Sequence, residues 1–294
     1  MRVLAVLLAL ACPSIAAADG FPLWTVEGDA GTVYILGSVH VLKAGDYPLP
    51  APVSEAYAAA DELLMELDLD DLDVAAVTTR MLELGASGDD ATAREVFGDD
   101  AWETVVSRGR SLGLDLGAMA AVEPWLAALM AYNLALAQAG YDPDLGVDQH
   151  LAGRAMADGK PIAGLETLAE QLDFFDSLAP EAQRQLLEQT LDSLDELATE
   201  ADALVAAWRS GDLAALGARL EEDFEDYPEL EQRLVTDRNQ AWLPAIEARL
   251  ARPGETLVVV GALHVVGPEG LPALLKSRGY AVQSDPSRPG RETP

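Results

Sequence analysis

Two stretches decide the fold, "TVYILGSVH" at residues 32–40 and "TLVVVGALH" at residues 256–264. Each runs Thr, four mostly apolar residues, Gly, two residues and His. Short apolar runs rich in β-branched residues and closed by glycine read as buried strands. The chain has only three histidines, and two of them occupy the same place in this repeated strand-turn unit. They stand 224 positions apart. A single sheet holding both strands would bring them together.

Working outward, "FPLWTVEGDAGTVYILGSVH" (21–40) reads as a hairpin around a Glu-Gly-Asp-Ala-Gly turn. A helix follows in 51–61 and a core strand in "ELLMELD" (62–68), completing a βαβ unit. From about 73 to 250 apolar residues recur at spacings of three and four. Helices are expected over 73–85, 91–113, 123–140, 146–158, 180–198, 199–220 and 228–251. One strand, "KPIAGLE" (160–166), interrupts them, and Thr167 with Glu170 forms a capping box that starts a helix just after it. The C-terminal part returns to strand, Gly-x-x-His turn, helix near 269–278 and a closing strand in "GYAVQSD". The expectation is an α/β fold: a central sheet built from N- and C-terminal βαβ-like halves, with a large helical insertion at about 73–250. It forms a single domain over 19–285, and a disordered tail follows at 286–294.

Residues 1–18 carry a positive start, an apolar run and the small-residue site Ala16-Ala17-Ala18, the pattern of a cleaved secretory signal peptide. The run is too short, and too interrupted by Pro13 and Ser14, for the roughly 20 apolar residues a span requires. A periplasmic or secreted protein is therefore expected, with no integral membrane span. Cys12, the single cysteine, falls inside the leader, and Ala9 stands where a lipoprotein signal favours a larger aliphatic residue. The net charge of −31 repels nucleic acid and anionic lipid. The acidic runs at 67–73 and 221–226 lack the glycine and spacing of a calcium loop and read as solvated faces.

Ligands of open α/β sheets sit beyond the carboxyl ends of the strands. Four expected strands end there in reactive groups: His40, Glu66, Glu166 and His264. Gly37 and Gly261 are expected as the structural turns that swing the imidazoles over the sheet edge. Two imidazoles with a carboxylate suit a divalent metal ion such as zinc, manganese or cobalt, with an open position for an activated water. In "RLVTDRNQAWLPAIEARL" (233–250), Arg238 and Asn239 interrupt an apolar helix stripe, and a buried polar pair is costly without partners. Arg238 could stabilise an oxyanion and Asn239 could orient a water; helix-to-loop hydrogen bonds are the plainer alternative. His150, on an amphipathic helix, reads as a surface residue.

Together "YILGSVH", "LLMELD", "GVDQHLAGRAMADGKPIAGLET", "TDRNQAW" and "VVVGALHVVGPEGL" resemble the TraB/GumN/PrgY family, whose animal relatives are the Tiki proteases. With its leader, the chain is similar to bacterial GumN-like members. The resemblance implies a metal-dependent hydrolase related distantly to erythromycin esterases and to a haem-binding lipoprotein family. Tiki activity implies a manganese- or cobalt-dependent peptidase. His40, Glu66 and His264 match the family's motif positions as metal ligands. Glu66, Glu166, Arg238 and Asn239 are the expected catalytic groups, with Glu66 open between ligand and base. The substrate expected is a peptide or protein. An esterase, or a non-catalytic binder of peptide, metal or haem, is the alternative.

Overall fold

The two Thr-to-His frames lie side by side at the centre of one sheet. The computed structural model describes residues 21–70, 74–86, 92–111, 113–224 and 228–284. The leader, the expected tail and parts of both acidic runs lie outside these residues. The sheet contains β1 (Leu23–Glu27), β2 (Gly31–Ser38), β3 (Glu62–Met65), β4 (Ile162–Gly164), β5 (Gly254–Gly261) and β6 (Ala281–Ser284). Their order is β4-β3-β5-β2-β1-β6.

Strands β4, β3, β5 and β2 run parallel, and β1 is antiparallel to both β2 and β6. Ser38 pairs with Gly261, and Met65 pairs with both Val259 and Gly164, so four carboxyl ends finish along one edge. β2 and β5 are buried along nearly their whole length, which accounts for apolar runs without polar alternation.

Helix α1 (Ala51–Ala59) joins β2 to β3, completing the expected N-terminal βαβ unit with β5 inserted between its strands. Between β3 and β4 lie α2 (Val74–Gly85), α3 (Ala93–Phe97), α4 (Asp99–Ser111), α5 (Pro124–Gln138) and α6 (Val147–Asp158). Between β4 and β5 lie α7 (Leu168–Asp176), α8 (Pro180–Ser193), α9 (Leu197–Ser210), α10 (Leu213–Phe224), α11 (Pro228–Glu231) and α12 (Asp237–Leu250). Finally α13 (Leu271–Ser277) leads to β6, which pairs with β1 across the sheet and not with β5.

The α/β class and the helical insertion are as expected, with helix breaks that periodicity did not mark. Gly98, at φ 76°, separates α3 from α4. Gly211, at φ 74°, ends α9 in the left-handed conformation that glycine adopts without a Cβ clash. Asp212 then accepts a hydrogen bond from the Ala215 N–H and starts α10. A five-residue π turn at Gln232–Thr236 precedes α12, a kind of irregularity that often marks functional sites. The Thr167–Glu170 capping box is present as expected. Among the described residues no helix is long and apolar enough to cross a membrane.

Candidate functional site

Each of the four parallel strands delivers one polar group to the common edge. His40 follows β2 by two residues, Glu66 follows β3 directly, Glu166 follows β4 by two, and His264 lies on a 3-10 turn after β5. Glu66 sits between the imidazoles: its Oε1 is 3.9 Å from His40 Nε2 and 4.0 Å from His264 Nε2. The same oxygen accepts the Gly261 N–H at 2.7 Å.

Arg238, on the first turn of α12, closes the cluster from behind. Its Nη2 donates to Glu66 Oε2 and to Glu166 Oε1, each at 2.6 Å. Its Nε donates to Glu166 Oε2, and its Nη1 donates to the Leu234 carbonyl at 3.1 Å and to His264 Nε2 at 3.2 Å. All five guanidinium N–H donors thus have protein acceptors. Asn239 is fully buried; its Nδ2 donates to the Glu269 carbonyl at 2.8 Å, and its Oδ1 lies 2.8 Å from His264 Nδ1. That contact places the His264 proton on Nδ1 and leaves the Nε2 lone pair for Arg238. Trp242 packs its ring 4.6 Å from His264 and donates its Nε1–H to Glu166 at 3.1 Å.

The expected oxyanion roles of Arg238 and Asn239 meet a different arrangement: both side chains are engaged inside the protein. Arg238 ties together two carboxylates and one imidazole, and Asn239 fixes a tautomer. Helix-to-loop bonding, the plainer reading of this pair, describes Asn239 well.

The two glycines act by leaving space. Neither has a positive φ, and Gly37 lies within β2. A Cβ on Gly37 would come within 2.7 Å of Val265 Cγ2, and the Gly37 carbonyl accepts the Trp208 indole N–H at 2.7 Å. A Cβ on Gly261 would stand 2.8 Å from His40 Nε2 and 3.4 Å from Glu66 Oε1. Gly261 has φ −53° and ψ 144°, which alanine adopts freely. Gly261→Ala is therefore expected to change stability by less than about 1 kcal/mol, because the half-exposed imidazole can swing aside, as for a mild overpacking. The same displacement misplaces the imidazole and lowers any turnover by about 100-fold. Thermal unfolding and turnover measured on one preparation separate the two effects.

Asp148 completes the site, and sequence reasoning missed it. Gly146 leaves room for the His40 carbonyl, the Val147 N–H donates to the Val39 carbonyl, and α6 begins there. One residue on, Asp148 Oδ1 lies 3.2 Å from His40 Nδ1. An acidic residue in a first helical turn is favoured by the helix dipole alone, which hides its second use. His150 is exposed, its ring beside Tyr47, and outside the cluster.

The electrostatics separate the two histidines. Loss of solvent on the protein-facing side of the half-exposed ring lowers the His40 pKa, but Asp148 and then Glu66 outweigh it, and the value rises to about 9. Burial draws His264 down to about 3, against the pull of Glu66. Burial raises Glu66, yet His264, His40 and Arg238 together hold it at about 2. Burial lifts Glu166 above the usual carboxylate range despite Arg238. At neutral pH the site is thus an imidazolium at His40, a carboxylate at Glu66, a guanidinium and a neutral His264. A cavity of 340 Å³ opens before His40 and Glu66, with Asp148, Gln149 and Gln171 on its walls.

Two imidazoles and carboxylates are suitable donors for a divalent metal, but their arrangement does not fit one. Among the described residues no group of three or more His, Cys, Asp or Glu side chains is placed to hold a metal ion. Arg238 engages the His264 Nε2 lone pair that a metal would need. A cation bound between His264 and Glu66 would first have to displace that guanidinium.

A mixed sheet whose parallel strands end in a His-Glu-Glu-His cluster, locked by one helix-borne arginine, defines an α/β protein with its site assembled from both ends of the chain. The chain belongs to the TraB/PrgY/gumN family, whose pattern matches residues 22–284. It is 24% identical over 282 residues to an uncharacterized protein of Treponema pallidum (strain Nichols), covering 91% of this chain and 84% of that one. It is 23% identical over 243 residues to the uncharacterized protein YbaP of Escherichia coli (strain K12), covering 83% of this chain and 87% of that one. No solved structure matches it.

Proposed function

We propose that this protein is a hydrolase of acyl bonds, a peptidase before an esterase, acting in the periplasm or outside the cell after removal of residues 1–18. The observation that carries the reading is the His40–Asp148 contact at the mouth of the cavity, with the Glu66 carboxylate on the far side of the imidazole. Asp148 holds Nδ1–H and directs the Nε2 lone pair toward the cavity when the ring is neutral. His40 then takes a proton from water as the water oxygen bonds to the substrate carbonyl carbon. The same proton passes to the leaving nitrogen or oxygen as its bond to that carbon breaks. Glu66 stabilises the imidazolium formed between these steps, and Arg238 holds Glu66 in place.

A second reading keeps the metal-dependent peptidase that the family resemblance implies, with manganese, cobalt or zinc held by His40, Glu66 and His264. The donor chemistry favours it; the guanidinium on His264 Nε2 opposes it.

The experiment is a peptide-library and ester screen of the purified mature chain, metal-free and reloaded with each ion, beside a His40→Ala/His264→Ala double variant. Turnover by the metal-free chain, lost in the variant, is the expected result. Turnover only after reloading, with about one ion per wild-type chain and none in the variant, would establish the metal reading instead. No turnover under any condition, with a peptide or haem still bound, would replace both with a binding protein.

A further inference from the structure

One polar group in the cavity has no use in the scheme above. Ser38 is the last residue of β2, two positions before His40. It lines the cavity with His40 and Glu66. The residue is only 2% exposed, and its hydroxyl finds no hydrogen-bond partner. An unpaired buried hydroxyl costs stability that an alanine here would not. Its neighbour across the parallel ladder is Gly261, whose missing side chain keeps the flank of His40 Nε2 open and whose N–H holds Glu66. The free hydroxyl, the open flank and the held carboxylate therefore lie in one corner.

We propose that Ser38 is a positioning residue whose hydroxyl holds a water in the corner between Gly261, His40 Nε2 and Glu66 Oε1. The inference rests on the hydrolase reading for its purpose, since this is the water His40 deprotonates. A hydroxyl suits the task because it can accept one water proton in a hydrogen bond while His40 takes the other. The water oxygen then keeps a lone pair directed into the cavity. Ser38 is given no attack of its own: in the structure its oxygen lies out of reach of the cavity solvent, and it meets the water by rotating about χ1 toward the space that Gly261 leaves beside His40 Nε2.

Two measurements test this together. A high-resolution crystal structure of the wild-type protein is expected to contain an ordered water within hydrogen-bond distance of Ser38 Oγ and of His40 or Glu66, and a Ser38→Ala crystal is expected to lack it. On whichever substrate the screen identifies, Ser38→Ala is expected to lower kcat by about 100-fold with KM within about twofold, as for a misplaced reactant. Ser38→Thr, which keeps the hydroxyl, is expected to restore most of the loss. Thermal stability of Ser38→Ala should stay at or above wild type, excluding damage to the fold as the cause. Absence of the water from the wild-type crystal, or a Ser38→Ala kcat equal to wild type, overturns the proposal and leaves the hydrolase reading standing. A water at Ser38 in a protein that hydrolyses nothing overturns the hydrolase reading and leaves the water site.

Discussion

Arg238→Met is expected to destabilise the protein by about 3–5 kcal/mol, the usual cost of removing one partner from a buried ionic network. The side chain is 10% exposed and its partners Glu66 and Glu166 are 13% and 5% exposed, so water cannot replace it. Methionine fills much of the volume and leaves two facing carboxylates without their cation. Urea unfolding followed by tryptophan fluorescence reads the effect, with Trp242 reporting from within the cluster. The sign of the pH dependence follows from the same burial. A carboxyl left unpaired in the folded state has its pKa raised above the unfolded value. Its protonated form then favours folding, and that advantage is lost as pH rises through the raised pKa. The deficit of Arg238→Met should therefore shrink as pH falls below the ordinary glutamate range and grow toward neutrality. Adding Glu166→Gln should recover part of the loss. A deficit under about 1 kcal/mol at neutral pH, unchanged by acid, would remove Arg238 as the keystone of the site.

His40→Gln is expected to do the opposite, lowering kcat/KM by about 10²–10⁴-fold, the range of a general acid–base group, with little change in stability. The His40 side chain is 58% exposed, so the fold does not depend on it. On the hydrolase reading the neutral imidazole is the active form, and kcat/KM should climb with pH to a plateau above a limb near 9. Asp148 favours the imidazolium, so Asp148→Asn should move that limb down toward 6.5, the ordinary histidine value, and lower the plateau. A limb that stays in place in Asp148→Asn would separate the two residues and leave His40 without its orienting partner.

The sheet and the meeting of His40 with His264 were legible because a buried parallel strand has a continuous apolar signature and glycine punctuates it. Glu66, Glu166, Arg238 and Asn239 also come together as expected. What the sequence could not convey was the use of each lone pair and each N–H. Nothing in the apolar stripe of α12 tells that Arg238 engages every one of its donors, or that Asn239 decides a tautomer. Asp148 lies 108 positions from His40, and only the docking of α6 against residues 39 and 40 makes them neighbours. The glycines were recognisable as special, but sequence cannot distinguish a left-handed turn from a place where a Cβ would strike an imidazole.

The strand order has a consequence for how the protein comes into being. β2, near the start of the chain, finds its parallel partner in β5, which is synthesised more than two hundred residues later. Such distant pairing closes a long loop and is slow to form. Until β5 inserts between β2 and β3, His40 and Glu66 have no His264, no Gly261 N–H and no ordered edge on which to meet. A nascent or truncated polypeptide lacking its last forty residues therefore has no β5 and no assembled cluster. If the chain is exported unfolded, as the secreted reading proposes, this order of assembly would leave the cluster incomplete until the fold is finished on the far side of the membrane.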